Sequence, residues 1–314
     1  MTFFLICIAI GVGWYLSSVL GSSSALENKG YSMDRTNLFG GIVALLSAIS
    51  WGSGDFTGGL ASRKHSQFQV LAVAACSASI CLLIAMFVRS ETWPGPATIL
   101  WSIAAGISGA IGTVSLYRAF VVGQVALVAP TSAVVSVGLP VVIGTLTQGL
   151  PGPEKVVGMV VGMAGIWLVT REPGSSQGGT HGLGLAILAG FGFGGFFLCI
   201  VRSEPGSVFA PLLLAKLTAL LFCLLTIAFR RSSLHAFPFK QSGLALLAGL
   251  LDAAGNLFYL LAARMIRFEL ATVISSMAPA MTVLLALLVS RQRISSLQML
   301  GVGICLLAIE LIVI

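Results

Sequence analysis

The sequence predicts an all-α polytopic membrane protein. Its core is a ten-helix bundle of two inverted five-helix repeats, with an extra N-terminal helix as one reading of the first residues. Three observations predict this class. Of 314 residues, 57% are hydrophobic and 9% charged, whereas soluble domains carry about 25% charged residues, so the charge is too sparse to cover a water-exposed surface. The apolar residues come in runs long enough to cross a hydrocarbon core of about 30 Å, which takes about 20 helical residues. Small residues of the first half also recur in the second at a nearly constant offset.

Taken in order, residues 3–20 form an apolar run just long enough to span, followed by a Ser-rich polar linker over 21–36 with Glu27, Lys29, Asp34 and Arg35. No Lys or Arg precedes the run, so the basic start of a signal peptide is missing, although Ser22–Ala25 resembles a cleavage stretch. An extra helix, an uncleaved anchor and a start assigned upstream of Met33 all remain open. Ten further spans are expected at 37–60, 67–88, 97–121, 125–149, 152–170, 182–201, 209–229, 243–264, 269–290 and 296–314. The connections are short and carry Pro, Gly and single charges, as at Arg63-Lys64-His65, Pro151–Lys155 and Arg202–Gly206. The organisation is an N-terminal segment and linker (1–36), a first repeat (37–172) and a second repeat (181–314).

The repeat rests on register. With an offset of 143, Gly106, Gly112, Ala119 and Gly158 map onto Gly249, Gly255, Ala262 and Gly301; with 142, Ala44, Trp51 and Gly52 map onto Ala186, Phe193 and Gly194. Five spans per copy is an odd number, so the two copies must cross the membrane in opposite senses, the inverted-repeat plan of many secondary transporters. Charge bias does not orient them. Arg63, Lys64, Arg171, Arg230, Arg231, Lys240, Arg291 and Arg293 collect on one side; Lys29, Arg35, Arg89, Lys155, Arg202, Arg264 and Arg267 collect on the other.

Composition excludes several function classes. The net charge of +7 is dispersed in ones and twos between apolar runs, which is no nucleic-acid footprint. The six cysteines sit singly inside apolar stretches and read as small buried hydrophobes. His65, His181 and His235 lie far apart in loops, so no metal site, cofactor or catalytic residue is expected.

The stretch that organises the chain is Leu244–Met265. Asp252, Asn256 and Tyr259 fall on one stripe of this helix, with Gly249 and Gly255 near its edges. A charged Asp at mid-bilayer costs about 2.5–3.5 kcal/mol, so it is expected to face a cavity or a partner helix. Such a carboxylate can exchange protons or act as counter-ion to a cationic substrate, and Asp252 is the candidate for proton coupling. The structural alternative is a protonated or Lys-paired Asp that holds helices together. Lys216, in the middle of the seventh span, needs an acid or water; Asp55, Asp252 and Glu310 are equally eligible.

Other candidates lie on four spans. Trp51 and Asp55 share a face of the first, where Gly54 and Gly58 allow close backbone approach, and the sixth answers with the glycine-rich Gly190–Gly195. Tyr117 closes the third span beside Arg118. The fourth carries Pro130, Thr131, Ser132, Ser136 and Pro140, and the ninth Thr272, Ser275, Ser276 and Pro279. Proline frees a carbonyl that hydroxyls or a ligand can satisfy, so helix breaks are expected in both spans.

In order and spacing these residues resemble the EamA-like transporters of the drug/metabolite transporter superfamily. The resemblance covers about residues 37–314. It is carried by the five-helix duplication, Trp51-Gly52, the GDFTGGLASRK stretch after it, GLLDAAGN (Gly249–Asn256) with Ala262, and SSMAPAMTVLLALL (Ser275–Leu288). The chain departs from the family where Arg291-Gln292 replaces the Gly-Glu that often follows the ninth helix, and in its N-terminal extension. The resemblance implies a ten-helix transporter with cytoplasmic core termini and a cavity between the halves; it implies no particular substrate.

The function expected is therefore a secondary transporter of a small metabolite or drug-like compound in the cell membrane, the inner membrane in a bacterium. It would work by alternating access, coupled to protons or to exchange. Its substrate site would use Trp51, Asp55, Tyr117, Thr131, Asp252, Asn256, Tyr259 and Ser275. The expected partners are a small-molecule substrate and the lipid bilayer, not nucleic acid, with a homodimer left open. The competing readings are a non-transporting membrane subunit or lipid-handling protein, whose signature would be a cavity open sideways to lipid, or no cavity, with Asp252 sealed by Lys216, and an embedded enzyme, which lacks convergent acids and histidines.

Overall fold

The computed structural model describes residues 29–62, 67–122, 125–169, 182–229, 243–289 and 295–313. These form eleven helices: α1 (Lys29–Ser62), α2 (Gln67–Val88), α3 (Pro96–Val122), α4 (Val125–Gln148), α5 (Pro153–Val169), α6 (Leu183–Ile200), α7 (Phe209–Phe229), α8 (Gly243–Met265), α9 (Phe268–Ser275), α10 (Ala278–Leu288) and α11 (Ser296–Val313). Seven of them, α1–α4 and α6–α8, are long and apolar enough to cross a bilayer. With no water in the hydrocarbon to satisfy backbone groups, such segments fold as helices. The regular elements among the described residues are all helices, and the chain is a multi-pass membrane protein. The apolar run at 3–20 lies outside the described residues.

Local chemistry sets several boundaries. α3 and α5 begin on Pro96 and Pro153, where a missing N–H and a fixed φ suit the first helical position. α4 ends at Gly149, whose φ of 78° is the left-handed conformation that closes helices at low cost only for glycine.

Two boundaries differ from expectation. α1 starts at Lys29, so the second half of the polar linker is helical. The ninth span is split into α9 and α10 while the fourth is one helix despite Pro130 and Pro140. At the split, Ser276 and Met277 have ψ near zero and the Met277 N–H bonds to the Ile274 carbonyl at 3.1 Å, a tightened turn. Pro279 then opens α10, where its lack of an N–H leaves nothing unsatisfied. The expected break thus exists in the second half only.

The helices pack by a rule of exchange. α1 packs along α8 as α6 packs along α3. α2 meets α8 as α7 meets α3, and α4 meets α6 as α9 and α10 meet α1. α2 with α7, and α5 with α11, are pairs between equivalent helices. Swapping the first five spans for the last five leaves this pattern unchanged. α8 is the innermost element: 61% of its spanning window is buried, against 39% or less in the other spans.

The exchange holds at the level of residues. A side chain on Gly106 would lie 2.6 Å from the Ala215 carbonyl oxygen and 2.7 Å from Thr218 Cβ; one on Gly249 would strike the Ala74 carbonyl and Ser77 Oγ. Gly112 lies under Phe193, and Gly255 under Trp51, where an added Cβ would be 2.6 Å from the ring nitrogen. Glycine is required at these crossings because the neighbouring helix occupies the space of a side chain.

Candidate functional site

The site is built where α1, α7 and α8 converge. Lys216 Nζ of α7 lies 2.5 Å from Asp252 Oδ2 of α8, which selects Asp252 among the three acids available to it. The other oxygen, Oδ1, accepts from Asn256 Nδ2 at 3.0 Å, and the same amide donates to the Asp252 carbonyl at 2.5 Å. One helical turn separates the two residues, so α8 itself supplies this neighbour. The Lys216 side chain is 17% exposed and that of Asp252 38%. The carboxylate is paired but reachable.

Asp55 is brought to the same place by α1. Gly54 presses on the α8 backbone, where an added Cβ would be 3.3 Å from the Ala248 carbonyl and 3.6 Å from the Asp252 amide nitrogen. Asp55 is exposed, and the charges of Asp55 and Asp252 are close enough to oppose each other. No described cation pairs with Asp55. Among the described residues, Lys216 pairs with Asp252 alone.

One turn before Asp55, Trp51 closes the site on its inner side. Its ring stacks obliquely on Phe197 and Tyr259 with centroids 5.7 and 5.9 Å away, and Phe197 and Tyr259 are 4.9 Å apart. Aromatic rings at such separations attract beyond their area burial. Beyond this trio the polar groups are buried. The Tyr259 hydroxyl is 3.0 Å from Thr272 Oγ1, which donates to the Phe268 carbonyl at 2.8 Å. Glu269 is fully buried, with Oε1 accepting from Arg267 Nε at 2.5 Å and Oε2 without a partner among the described residues.

A model of the EamA-like transporter family matches residues 38–171 and again residues 180–314. The chain belongs to the EamA-like transporter family. No curated protein matches it by sequence. A solved structure titled only as the crystal structure of a protein shares its fold with a TM-score of 0.67 at 18% identity, covering 88% of this chain and 96% of that one. The family consists of transporters and the chain has their membrane fold.

Against that family fold, the eight expected site residues fall into groups. Asp252 and Asp55 converge and are accessible, with Trp51 beside them and partly buried. Asn256 and Tyr259 share the stripe but are buried, at 2% and 0% exposure. Ser275 is buried too, its hydroxyl donating to the Ala44 carbonyl at 3.2 Å, which joins α9 to α1. Thr131 is half-buried on α4, and α4 packs on α6 and α9 rather than on α8. Tyr117 lies in α3, its side chain outside the described residues.

Sequence reasoning missed the candidate site's floor and its far side. Phe197 stands two residues after the glycine run of α6, a signal that pointed to the helix but not to the ring. Glu269 lies at the α8–α9 corner with its carboxylate against Gly144 of α4, a contact no local pattern encodes.

Proposed function

We propose that this protein is a secondary transporter that moves a small polar or amphipathic metabolite by alternating access through the site between α1, α7 and α8. One observation carries this reading: a Lys216–Asp252 ion pair in the middle of two spanning helices, with the Asp252 side chain 38% exposed. A carboxylate facing hydrocarbon costs about 2.5–3.5 kcal/mol, so this exposure belongs to a water-filled vestibule. The sealed Asp252 of a purely structural subunit would lack it.

The exchange of helix partners supports two repeats, 37–172 and 181–314, together ten spans with α9 and α10 as the halves of one. Five spans per repeat make the second inverted with respect to the first. Exposure falls along the polar stripe, from Asp252 through Asn256 at 2% to Tyr259 and Glu269 at 0%. This gradient fits a conformation open on the Asp55 side and closed beyond the Trp51–Phe197–Tyr259 trio. The rocking of one repeat against the other would move the closure to the opposite face.

The direct test is flux in proteoliposomes, with candidate metabolites supplied with and without an imposed pH gradient. Wild-type protein should accumulate its substrate, and Asp252→Asn should abolish the flux or its response to the gradient. Unchanged flux and unchanged pH response in Asp252→Asn would remove Asp252 from the mechanism.

A further inference from the structure

Resting on the alternating-access reading, we propose that Arg267 and Glu269 form a latch, built on one face only, that sets the resting conformation. The first ground is how the fourth and ninth spans meet. Among the described residues α9, the first part of the ninth span, packs on α4. Its continuation α10 packs on α1, α5 and α11 and not along α4. The two spans therefore meet where α4 ends and α9 begins, on the face opposite Asp55, and part toward the other face.

The second ground is what holds the meeting point. Arg267 Nε donates to Glu269 Oε1 at 2.5 Å, and its Nη2 donates to the Gly149 carbonyl, just past the end of α4, also at 2.5 Å. One planar guanidinium thus joins the α8–α9 corner of the second repeat to a helix of the first. Glu269 lies against that same helix: a Cβ on Gly144 would be 2.6 Å from its carboxylate carbon. Its Oε2 is buried and has no partner among the described residues. A buried carboxylate oxygen without a donor is unfavourable, and water reaches it once α4 lifts away. The latch holds through Arg267 and is released by hydration of Glu269.

The third ground is that the other half lacks the pair. Rocking moves the closure to the opposite end of the same two spans, where the start of α4 would meet the end of α10. At the offset of 143, Arg267 and Glu269 correspond to Gln124 and Ala126, and residues 119–153 contain no charged side chain. The opposite closure therefore has no ion pair to form within that corner. A contact made in one of two states shifts the equilibrium toward that state, so the form closed at Glu269 is the resting one. The latch also reaches the site. Thr272, one turn on from Glu269, holds the Tyr259 hydroxyl at 3.0 Å, and the Tyr259 ring packs on Trp51.

The test is backbone amide exchange on the full-length protein in lipid nanodiscs, comparing wild type with Glu269→Gln. Loss of the latch should speed exchange at residues 144–149 and 266–270 by at least about threefold. It should also slow exchange at residues 284–288, because the opposite end closes as this one opens. That reciprocal change is the mark of a switch, since loss of a merely structural contact speeds exchange locally and slows it nowhere. If Glu269→Gln fails to fold, Arg267→Met combined with Glu269→Gln, which removes both charges together, carries the test.

Unchanged exchange at both ends, or faster exchange at 144–149 and 266–270 without slowing at 284–288, overturns the proposal. Flux in proteoliposomes separates it from the transporter reading. Reciprocal exchange without flux of any supplied metabolite overturns transport and leaves the latch. Wild-type flux with no reciprocal change in the variant does the reverse.

Discussion

Lys216 of α7 and Asp252 of α8 are joined at 2.5 Å in the middle of two apolar helices. Removing one partner of a fully buried pair costs about 3–5 kcal/mol, and exposed pairs contribute about 0.2–1 kcal/mol. With side chains 17% and 38% exposed, this pair lies between those limits. Asp252→Asn should therefore destabilise the fold by about 1–3 kcal/mol. Lys216→Met combined with Asp252→Leu should recover most of that loss, because it removes both charges together. A double-mutant cycle on unfolding in detergent checks the coupling, and additive effects would show that the two charges do not depend on each other.

Glycines at the equivalent crossings should be intolerant of any side chain. Gly255→Ala would drive a methyl into the Trp51 ring, to 2.6 Å from its nitrogen, whereas Gly112→Ala meets Phe193 at 3.0 Å. Overpacking typically costs about 1–3 kcal/mol. Gly255→Ala should lower the unfolding temperature more than Gly112→Ala, and Trp51→Leu in the same chain should relieve the first. At Gly303 an added Cβ meets nothing within 4 Å. Gly303→Ala is therefore the control, expected to be neutral or mildly stabilising.

These crossings explain why so much of the fold was legible. A residue that another helix backbone must touch can only be small, and the requirement is the same in both halves, so Gly106 and Gly249 share a register visible in the sequence alone. The asymmetry at Asp252 was visible only in part. At the offset of 143 its place in the first repeat is taken by Gly109, which Phe196 covers, whereas Gly54 lies against the α8 backbone at Asp252. Lys216 could not be assigned a partner because only the packing of α7 and α8 chooses among three acids. Ser275 was misleading for a different cause. A hydroxyl in an apolar helix looks the same whether it serves a ligand or, as here, the Ala44 carbonyl.

The face opposite the Asp55 end is tied by Glu91, which lies between α2 and α3. Its Oε1 accepts from Ser207 Oγ at 2.9 Å and from the N–H groups of Val208 and Ala210 at 3.0 and 2.9 Å; Oε2 accepts from Phe209 N–H at 2.9 Å. The first N–H groups of a helix have no partner within it, and a carboxylate there also meets the positive end of the helix dipole. Glu91→Ala should cost about 1–3 kcal/mol and speed amide exchange at residues 208–210, while Glu91→Gln should cost less. Unchanged exchange at those amides in Glu91→Ala would show that α7 is capped by something else.

Arg264 should be irreplaceable by lysine. Its guanidinium donates through Nη1 to the Pro205 carbonyl at 2.8 Å, and through Nη2 to the carbonyls of Glu204 and Ser207 at 2.8 and 2.6 Å and to Ser203 Oγ at 3.0 Å. A planar fork can serve several acceptors around one short loop at once, whereas an ammonium on a flexible stem is a point charge with donors in a different geometry. The loop connects α6 to α7, and so the aromatic floor at Phe197 to the lysine at 216. Arg264→Lys should therefore loosen the 201–208 segment nearly as much as Arg264→Ala. Limited proteolysis after Arg202 reads this out, since that residue is exposed. Cleavage should rise in both variants, and protection by lysine equal to that by arginine would show that charge alone holds the loop. Because Lys216 stands two turns beyond the start of α7, both variants should also weaken its coupling to Asp252 in the cycle described above.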